Sequence, residues 1–303
     1  MRIASTQYHS TMTNALQSTQ GQLEAVIQQM ASGRKLMLPS EDPVTSVRLS
    51  RLNREEAALT QYRDNIEALA SRLRQNESLL EGMNADLMQA RDLLVWAADG
   101  GNTTEDVQAM ASSLVALRDS LFYSANSRDQ EGRHLFSGTA TGSPAVTFNS
   151  AAPLGTRYTF SGNTVEQKVV VGHGVTQTAN VTLQEMPALL NALDDTIAAL
   201  QTPGVNVNDP ATRTRVKAGL LGVDQAISSV SAKVAVLGGA QNTLATLAAN
   251  HANVSLSNQQ SLIKLGQLDY GEASVRLNGY STALQATQKA YGKVSDLSLF
   301  DVI

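Results

Sequence analysis

Between Leu52 and Leu94 a large aliphatic residue stands at every seventh position: Leu52, Leu59, Ile66, Leu73, Leu80, Leu87 and Leu94. A second track lies three residues behind most of them, at Tyr62, Leu69, Asn76, Met83, Ala90 and Ala97. A strict heptad predicts one long helix of about 65 Å, wound left-handed against a partner helix. A second seam runs at three-four spacing through Val223, Ile227, Val230, Val234, Leu237, Leu244, Ala248, Leu262 and Leu265. Polar Gln241, His251, Ser255 and Asn258 interrupt it. Shorter amphipathic helices are predicted from Thr104, with Val107, Met110, Leu114, Leu117 and Leu121 inward, and from Leu183 to Leu200.

Breakers divide these helices. Gly33 ends a first helix, and Pro39 and Pro43 hold an extended connector before Asp42 caps the long helix with Pro43 in its first turn. Gly100-Gly101, Pro203-Gly204 and Asp209-Pro210 mark the later breaks. From 138 to 185 the chain turns rich in Gly, Thr and Val. Period-two character at Arg157–Phe160 and in the Val165–Val171 run, with a turn at Gly172-His173-Gly174, predicts a small β region. The expected fold is mainly α: an elongated antiparallel helical bundle or coiled-coil rod with a small β-rich insertion domain. Residues 1–43 and 263–303 form a terminal helical part, 44–137 and 186–262 the rod, and 138–185 the outer β part.

The two ends are alike in an unusual way. No formal charge occurs from Ile3 to Leu23 or from Leu277 to Gln288, yet Ser, Thr, Gln and Asn are abundant. Sparse apolar residues keep helical spacing at Met12, Leu16, Leu23, Val26, Ile27 and Met30, and at Leu277, Tyr280, Leu284, Tyr291 and Val294. The N-terminal stretch is too polar to span a membrane and lacks the apolar run of a cleavable signal. Such segments bury too little to offset their ordering entropy, so both are expected to be disordered in the monomer and to fold on assembly.

Composition narrows the function. With 23 basic and 27 acidic residues and a net charge of -4, no field draws in nucleic acid. The chain has no cysteine, which excludes disulfides, thiolate metal sites and thiol nucleophiles. His9, His134, His173 and His251 lack metal-ligand spacing. The adjacent Asp194-Asp195 and Glu55-Glu56 point in different directions on a helix, and no phosphate loop or nucleophile elbow occurs. No catalytic, metal or cofactor residues are predicted, and neither nucleic-acid binding nor membrane insertion is expected. The pattern favours a structural, self-assembling protein over an enzyme. A secreted coiled-coil adhesin is an alternative that explains the rod but not the charge-poor ends.

One set of residues carries a resemblance. Met30-Ala31-Ser32-Gly33-Arg34-Lys35-Leu36, followed by Pro39-Ser40-Glu41-Asp42-Pro43-Val44, resembles the segment joining the first two helices of bacterial flagellins and their relatives. Gly132-Arg133-His134-Leu135-Phe136-Ser137-Gly138 and the ending Lys293–Asp301 are similar to the junction-type members of that superfamily; Leu38 departs from its usual Asn. The resemblance covers roughly the first 140 and last 45 residues.

It implies a secreted structural protein, exported unfolded by the flagellar type III apparatus and placed at the hook–filament junction of the bacterial flagellum. Axial contacts would fall on Met12, Leu16, Leu23, Ile27, Leu284, Tyr291, Val294, Leu297 and Phe300, and Gly33, Pro39, Asp42 and Pro43 would form the connector between layers. Implied partners are neighbouring copies of the chain, a first hook-associated junction protein, filament flagellin and a flagellar export chaperone. A filament flagellin is the nearest alternative.

Overall fold

Helix-forming sequence dominates, and the breakers named above decide where it stops. The computed structural model describes residues 2–296, with side chains described from Gln7 to Lys293. In chain order it contains α1 (Arg2–Ser32), α2 (Pro43–Ala97), α3 (Thr104–Ala125), β1 (Val146–Phe148), β2 (Tyr158–Phe160), β3 (Lys168–Gly172), β4 (Val175–Thr178), α4 (Met186–Leu200), α5 (Pro210–Gly266) and α6 (Tyr270–Asp296). The fold is mainly α with two small antiparallel sheets, β1-β2 and β3-β4. It divides into two compact units, Met1–Leu59 with Ala252–Ile303, and Thr60–His251.

In the first unit α1 ends where Gly33 takes φ 68°, a left-handed conformation that side-chain-bearing residues rarely adopt. The connector then pairs with the break between α5 and α6: Lys35 N donates to the Gly266 carbonyl at 2.8 Å and Leu268 N to the Gly33 carbonyl at 3.0 Å. Tyr270 Oη donates to the Met30 carbonyl at 3.1 Å. Glu41 accepts the amides of Met37 and Leu38, each at 3.2 Å, and staples the Pro39 turn. Asp42 Oδ1 accepts Thr45 N at 3.0 Å, the geometry of an N-cap. Hydrogen bonds from Thr45 hold the Asp42 carboxyl below its ordinary pKa. The break at Gly266–Asp269 was not expected from the sequence. Asp269 caps α6 by accepting Gly271 N at 2.8 Å and Glu272 N at 3.2 Å.

In the second unit the heptad positions of α2 form the core. Leu73, Leu80, Leu87 and Leu94, with Met83, Ala90 and Ala97 of the second track, are wholly buried. Ile66 and Leu69 are nearly so, while Tyr62 is half-buried. α5 runs antiparallel to α2: Gln241 Nε2 donates to Glu77 at 2.6 Å, Arg91 pairs with Asp224 at 2.8 Å, and the Tyr62 and His251 rings lie 5.7 Å apart. Val223, Val230, Leu237 and Leu244 of α5 join the same core. α5 is long and apolar enough by composition to cross a membrane, but those large positions are buried against α2 and its neighbours. Asn76 is the exception on the seam. It is fully buried, and neither amide atom finds a partner among the described residues.

α3 starts on a capping box, with Asp106 N donating to Thr103 Oγ1 and Thr103 N to Asp106. α4 is buried along most of its length, and α5 crosses it closely at Gly219, where a Cβ would lie 2.5 Å from Thr196 Oγ1.

The β region shares the helical core, since Leu135, Phe136, Val146, Tyr158 and Val171 lie in the same apolar cluster as α2. Two-stranded sheets leave edge amides to satisfy, and asparagines satisfy them here. Asn126 bonds both the amide and the carbonyl of Val146, at 3.0 and 2.9 Å. Asn191 does the same for Tyr158, at 2.9 and 2.8 Å. Gly138 takes φ 72°, and a Cβ there would run into the Asn163 carbonyl. Beneath the sheet, Asp194 accepts from Arg118 at 2.8 Å and from Arg157 at 3.4 Å.

Candidate functional site

The feature of the first unit that needs explaining is how little it buries. Helices of 31 and 27 residues, α1 and α6, share a core of which Val26, Leu268 and Ala273 are the buried members, rimmed by Met30, Leu277 and Tyr280. Near the far end of the pair the His9 and Tyr291 rings meet edge to face at 5.6 Å. Met12, Leu16, Leu23, Leu284 and Tyr291 are half-buried. Ile27 is 49% exposed, and its neighbour Val26 takes the inward position instead. Helical spacing admits either residue, so the sequence could not choose between them. The Val294 side chain, Leu297 and Phe300 lie outside the described residues.

The polar residues of the pair are turned in on themselves. Thr11, Thr13, Thr19, Ser274 and Thr287 each donate a hydroxyl to the carbonyl four residues back, at 2.7 to 2.9 Å. A hydroxyl so occupied asks less of solvent, which lowers the cost of covering the surface. Gly21 and Gly279 sit within helices although a Cβ at either would meet nothing within 4 Å. Glycine inside a helix costs about 0.5–1 kcal/mol relative to alanine, and no contact among the described residues requires it.

Large apolar side chains are exposed on the same unit. Leu38, Val44 and Val47 are 60%, 70% and 67% exposed, and Val275 is 73% exposed. Leu38 and Val44 flank Pro39 and Pro43 in the connector, both themselves exposed, while Asp42 is half-buried over its cap. The structure thus gathers the connector residues Gly33, Pro39, Asp42 and Pro43, together with both terminal helices, into one unit. Leu52 and Leu59 begin the heptad seam there, half-buried and buried respectively.

Among the described residues no group of three or more His, Asp or Glu is placed to hold a metal. Asp194 is committed to two arginines and Asp195 faces Arg215 at 3.6 Å. Glu56 accepts from Ser255 and Gln259. His134 bonds the Asn126 carbonyl through Nδ1 at 3.0 Å, and His251 bonds the Val171 carbonyl through Nε2 at 2.8 Å.

Comparison with known proteins agrees with this picture. The bacterial flagellin N-terminal helical region matches residues 3–141. The chain is similar to flagellar hook-associated protein 3 of Salmonella typhimurium, 26% identical over 320 residues that cover 100% of this chain and 99% of that protein. It is also similar to the solved structure of a flagellar hook-associated protein from Vibrio parahaemolyticus, with 32% identity, a TM-score of 0.67, and coverage of 74% of this chain and 98% of that one. Hook-associated protein-3 from Legionella pneumophila, 14% identical, shares the fold at a TM-score of 0.63 over 71% of this chain and 98% of that one. A long heptad helix, a paired connector, terminal helices with long uncharged stretches and this likeness lead to one placement: the chain belongs to the flagellar hook-associated proteins of the bacterial flagellin superfamily.

Proposed function

We propose that the chain is the adaptor between hook and filament, holding its place by packing its terminal helices against those of neighbouring copies. The protein is a non-enzymatic structural component of the flagellum, exported to the hook–filament junction, and it works beside other flagellar proteins. The observation that carries the adaptor reading is the first unit itself. Two long helices expose apolar and self-bonded polar side chains, hold uncharged stretches from Ile3 to Leu23 and from Leu277 to Gln288, and carry glycines with open space around them. Repeated head-to-tail contacts through such a surface build an open helical tube.

The axial contacts assigned to this surface are Met12, Leu16, Leu23, Ile27, Leu284 and Tyr291, with Val294, Leu297 and Phe300 continuing the stripe in sequence. The first hook-associated junction protein would meet it on the hook side and filament flagellin on the other. An export chaperone would cover the carboxy-terminal apolar stripe before secretion.

Deleting the gene tests the reading. Bare hooks with soluble flagellin in the medium are expected, because subunits are exported and have nothing to polymerise on. Bare hooks with no flagellin anywhere would make this chain the filament, and motile, filamented cells would overturn both flagellar roles.

The small shared core of α1 and α6 also supports their being unfolded in the free subunit. Ordering costs about 1–2 kcal/mol per residue of backbone, and three buried apolar residues offset little of that. Brief chymotrypsin digestion of the purified full chain is expected to remove α1 and α6 while the Thr60–His251 unit persists. Survival of both terminal helices at the rate of that unit would show that the monomer folds them unaided.

A further inference from the structure

The first unit holds a clasp where its helices break. Lys35 N donates to the Gly266 carbonyl and Leu268 N to the Gly33 carbonyl, so Arg34 and Gln267 face each other as an antiparallel bridge. Gln29 Nε2 donates to the Lys35 carbonyl at 2.9 Å, and Gly33 N to the Gln29 carbonyl at 2.8 Å. Tyr270 Oη reaches the Met30 carbonyl, and a Cβ on Gly33 would lie 3.3 Å from that hydroxyl. The end of α1 and the start of α6 are thus tied to one another by specific bonds.

Away from the clasp the two helices have little to keep them in step. The buried members of their core, Val26, Leu268 and Ala273, all lie close to it in sequence. Arg276 pairs with Glu272 of its own helix, and no ion pair among the described residues joins α1 to α6. Charges flanking a seam, and polar residues within it, are what fix the register of paired helices. Here Ser, Thr, Gln and Ala recur at neighbouring turns, so a slip of one turn exchanges like for like.

Yet the register is kept to the far end. Tyr270 meets Met30 beside the clasp, and His9 meets Tyr291 edge to face at 5.6 Å. The two contacts stand 21 residues apart on both helices, from His9 to Met30 and from Tyr270 to Tyr291. About 32 Å of paired helix therefore runs on from the clasp without a slip.

We propose that the clasp forms in the free subunit ahead of α1 and α6, and that it sets the register in which they pair on assembly. The inference rests on the reading that these helices are unfolded before assembly. The neighbouring parts of α2 and α5 hold each other without them. Leu59 and Ser255 are buried, Ser255 and Gln259 donate to Glu56, and a Cβ on Gly266 would come within 3.2 Å of Leu49 Cδ2. Gly266 ends α5, and the connector reaches it through a short turn that Glu41 and Asp42 close by local bonds. Closing so short a loop costs little chain entropy. Ordering α1 and α6, by contrast, fixes 31 and 27 residues.

Amide hydrogen exchange of the full wild-type chain, free in solution, tests the order of events. Relative to their unstructured rates, the Lys35 and Leu268 amides are expected to exchange about tenfold or more slower than those of 3–23 and 277–288. Clasp amides as fast as those two stretches would overturn the inference and leave the unfolded ends standing. Stretches as slow as the clasp would overturn the reading of unfolded ends, and the inference with it.

Register is read in flagella isolated from the gene-deleted strain carrying variant genes. The chain has no cysteine, so an introduced pair has one possible bridge within a subunit, scored in the monomer band of a non-reducing gel. His9→Cys with Tyr291→Cys is expected to oxidise to a disulfide, while His9→Cys with Thr287→Cys, one turn out of step, is not. Adding Gly33→Ala, at a backbone of φ 68°, is expected to raise the out-of-step bridge several-fold at the expense of the other. Where that variant yields no flagella, Tyr270→Phe removes the hydroxyl bond without touching the backbone and carries the same comparison. An unchanged ratio of the two bridges would overturn the clasp as the element that sets the register.

Discussion

Replacing Asp194 with alanine is expected to lower the unfolding free energy of the Thr60–His251 unit by about 3–5 kcal/mol, the cost of removing one partner from a buried ion pair. Asp194 is 6% exposed at its side chain, and its two oxygens hold Arg118 at 2.8 Å and Arg157 at 3.4 Å. Burial works against the Arg118 guanidinium. The hydrogen bond to Asp119, with the charges of Asp119 and Asp194 and the nearby Tyr158 phenol, outweighs it and raises the Arg118 pKa. Without Asp194 both arginines would face a largely dry region, and Arg157 would lose its ion-pair anchor to α4 just before β2. The effect should reach Tyr158, whose edges Asn191 holds on the same helix. Urea unfolding followed by far-UV circular dichroism gives the number. A loss below about 1 kcal/mol, the range of exposed pairs, would mean that Asp119 alone satisfies Arg118. Replacing Asp194 and Arg118 together by leucine and methionine should cost less than Asp194→Ala, because no buried charge is then orphaned.

The parts of this fold that were legible in the sequence are those that repeat. Seven apolar residues in one heptad register admit a single reading, and Ile66 to Leu94 lie where that reading places them, in the core. The starts of α3 and α5 were legible because Thr103, Asp106 and Pro210 act within one turn of themselves. What was not legible depends on residues far apart in sequence. Asn126 and Asn191 complete the edges of the small sheet across 20 and 33 residues, and no local pattern marks an asparagine for that task. The helix break at Gly266–Asp269 was hidden because Leu262, Leu265 and Leu268 keep apolar spacing through it. A signal existed in Asp269, three residues before Glu272, which is a helix-start signature. The terminal surface was legible as a charge-free stretch. Which residues it turns outward was not, as Val26 and Ile27 illustrate.

The heptad seam makes a second strong prediction, in two opposed parts one turn apart. Leu80 is fully buried in the shared core, and Leu80→Ala removes three methyl or methylene equivalents from a site walled by helices. Such truncations cost about 2.7–5 kcal/mol, the transfer term plus the cavity that long helices cannot collapse around. Asn76, four residues earlier, is equally buried, but its Oδ1 and Nδ2 have no partner among the described residues. A buried amide left unsatisfied costs about 1–3 kcal/mol, so Asn76→Leu should raise stability by an amount in that range, less any strain from the change of shape. A polar residue at one seam position also penalises slipped registers, because each slip moves it against new apolar neighbours. Asn76→Leu is therefore expected to unfold at higher urea with a broader, less cooperative transition, whereas Leu80→Ala unfolds at lower urea with its slope unchanged. Should Asn76→Leu prove destabilising, the amide must find partners in the folded protein, and the seam would owe part of its strength to a polar contact rather than to its leucines alone.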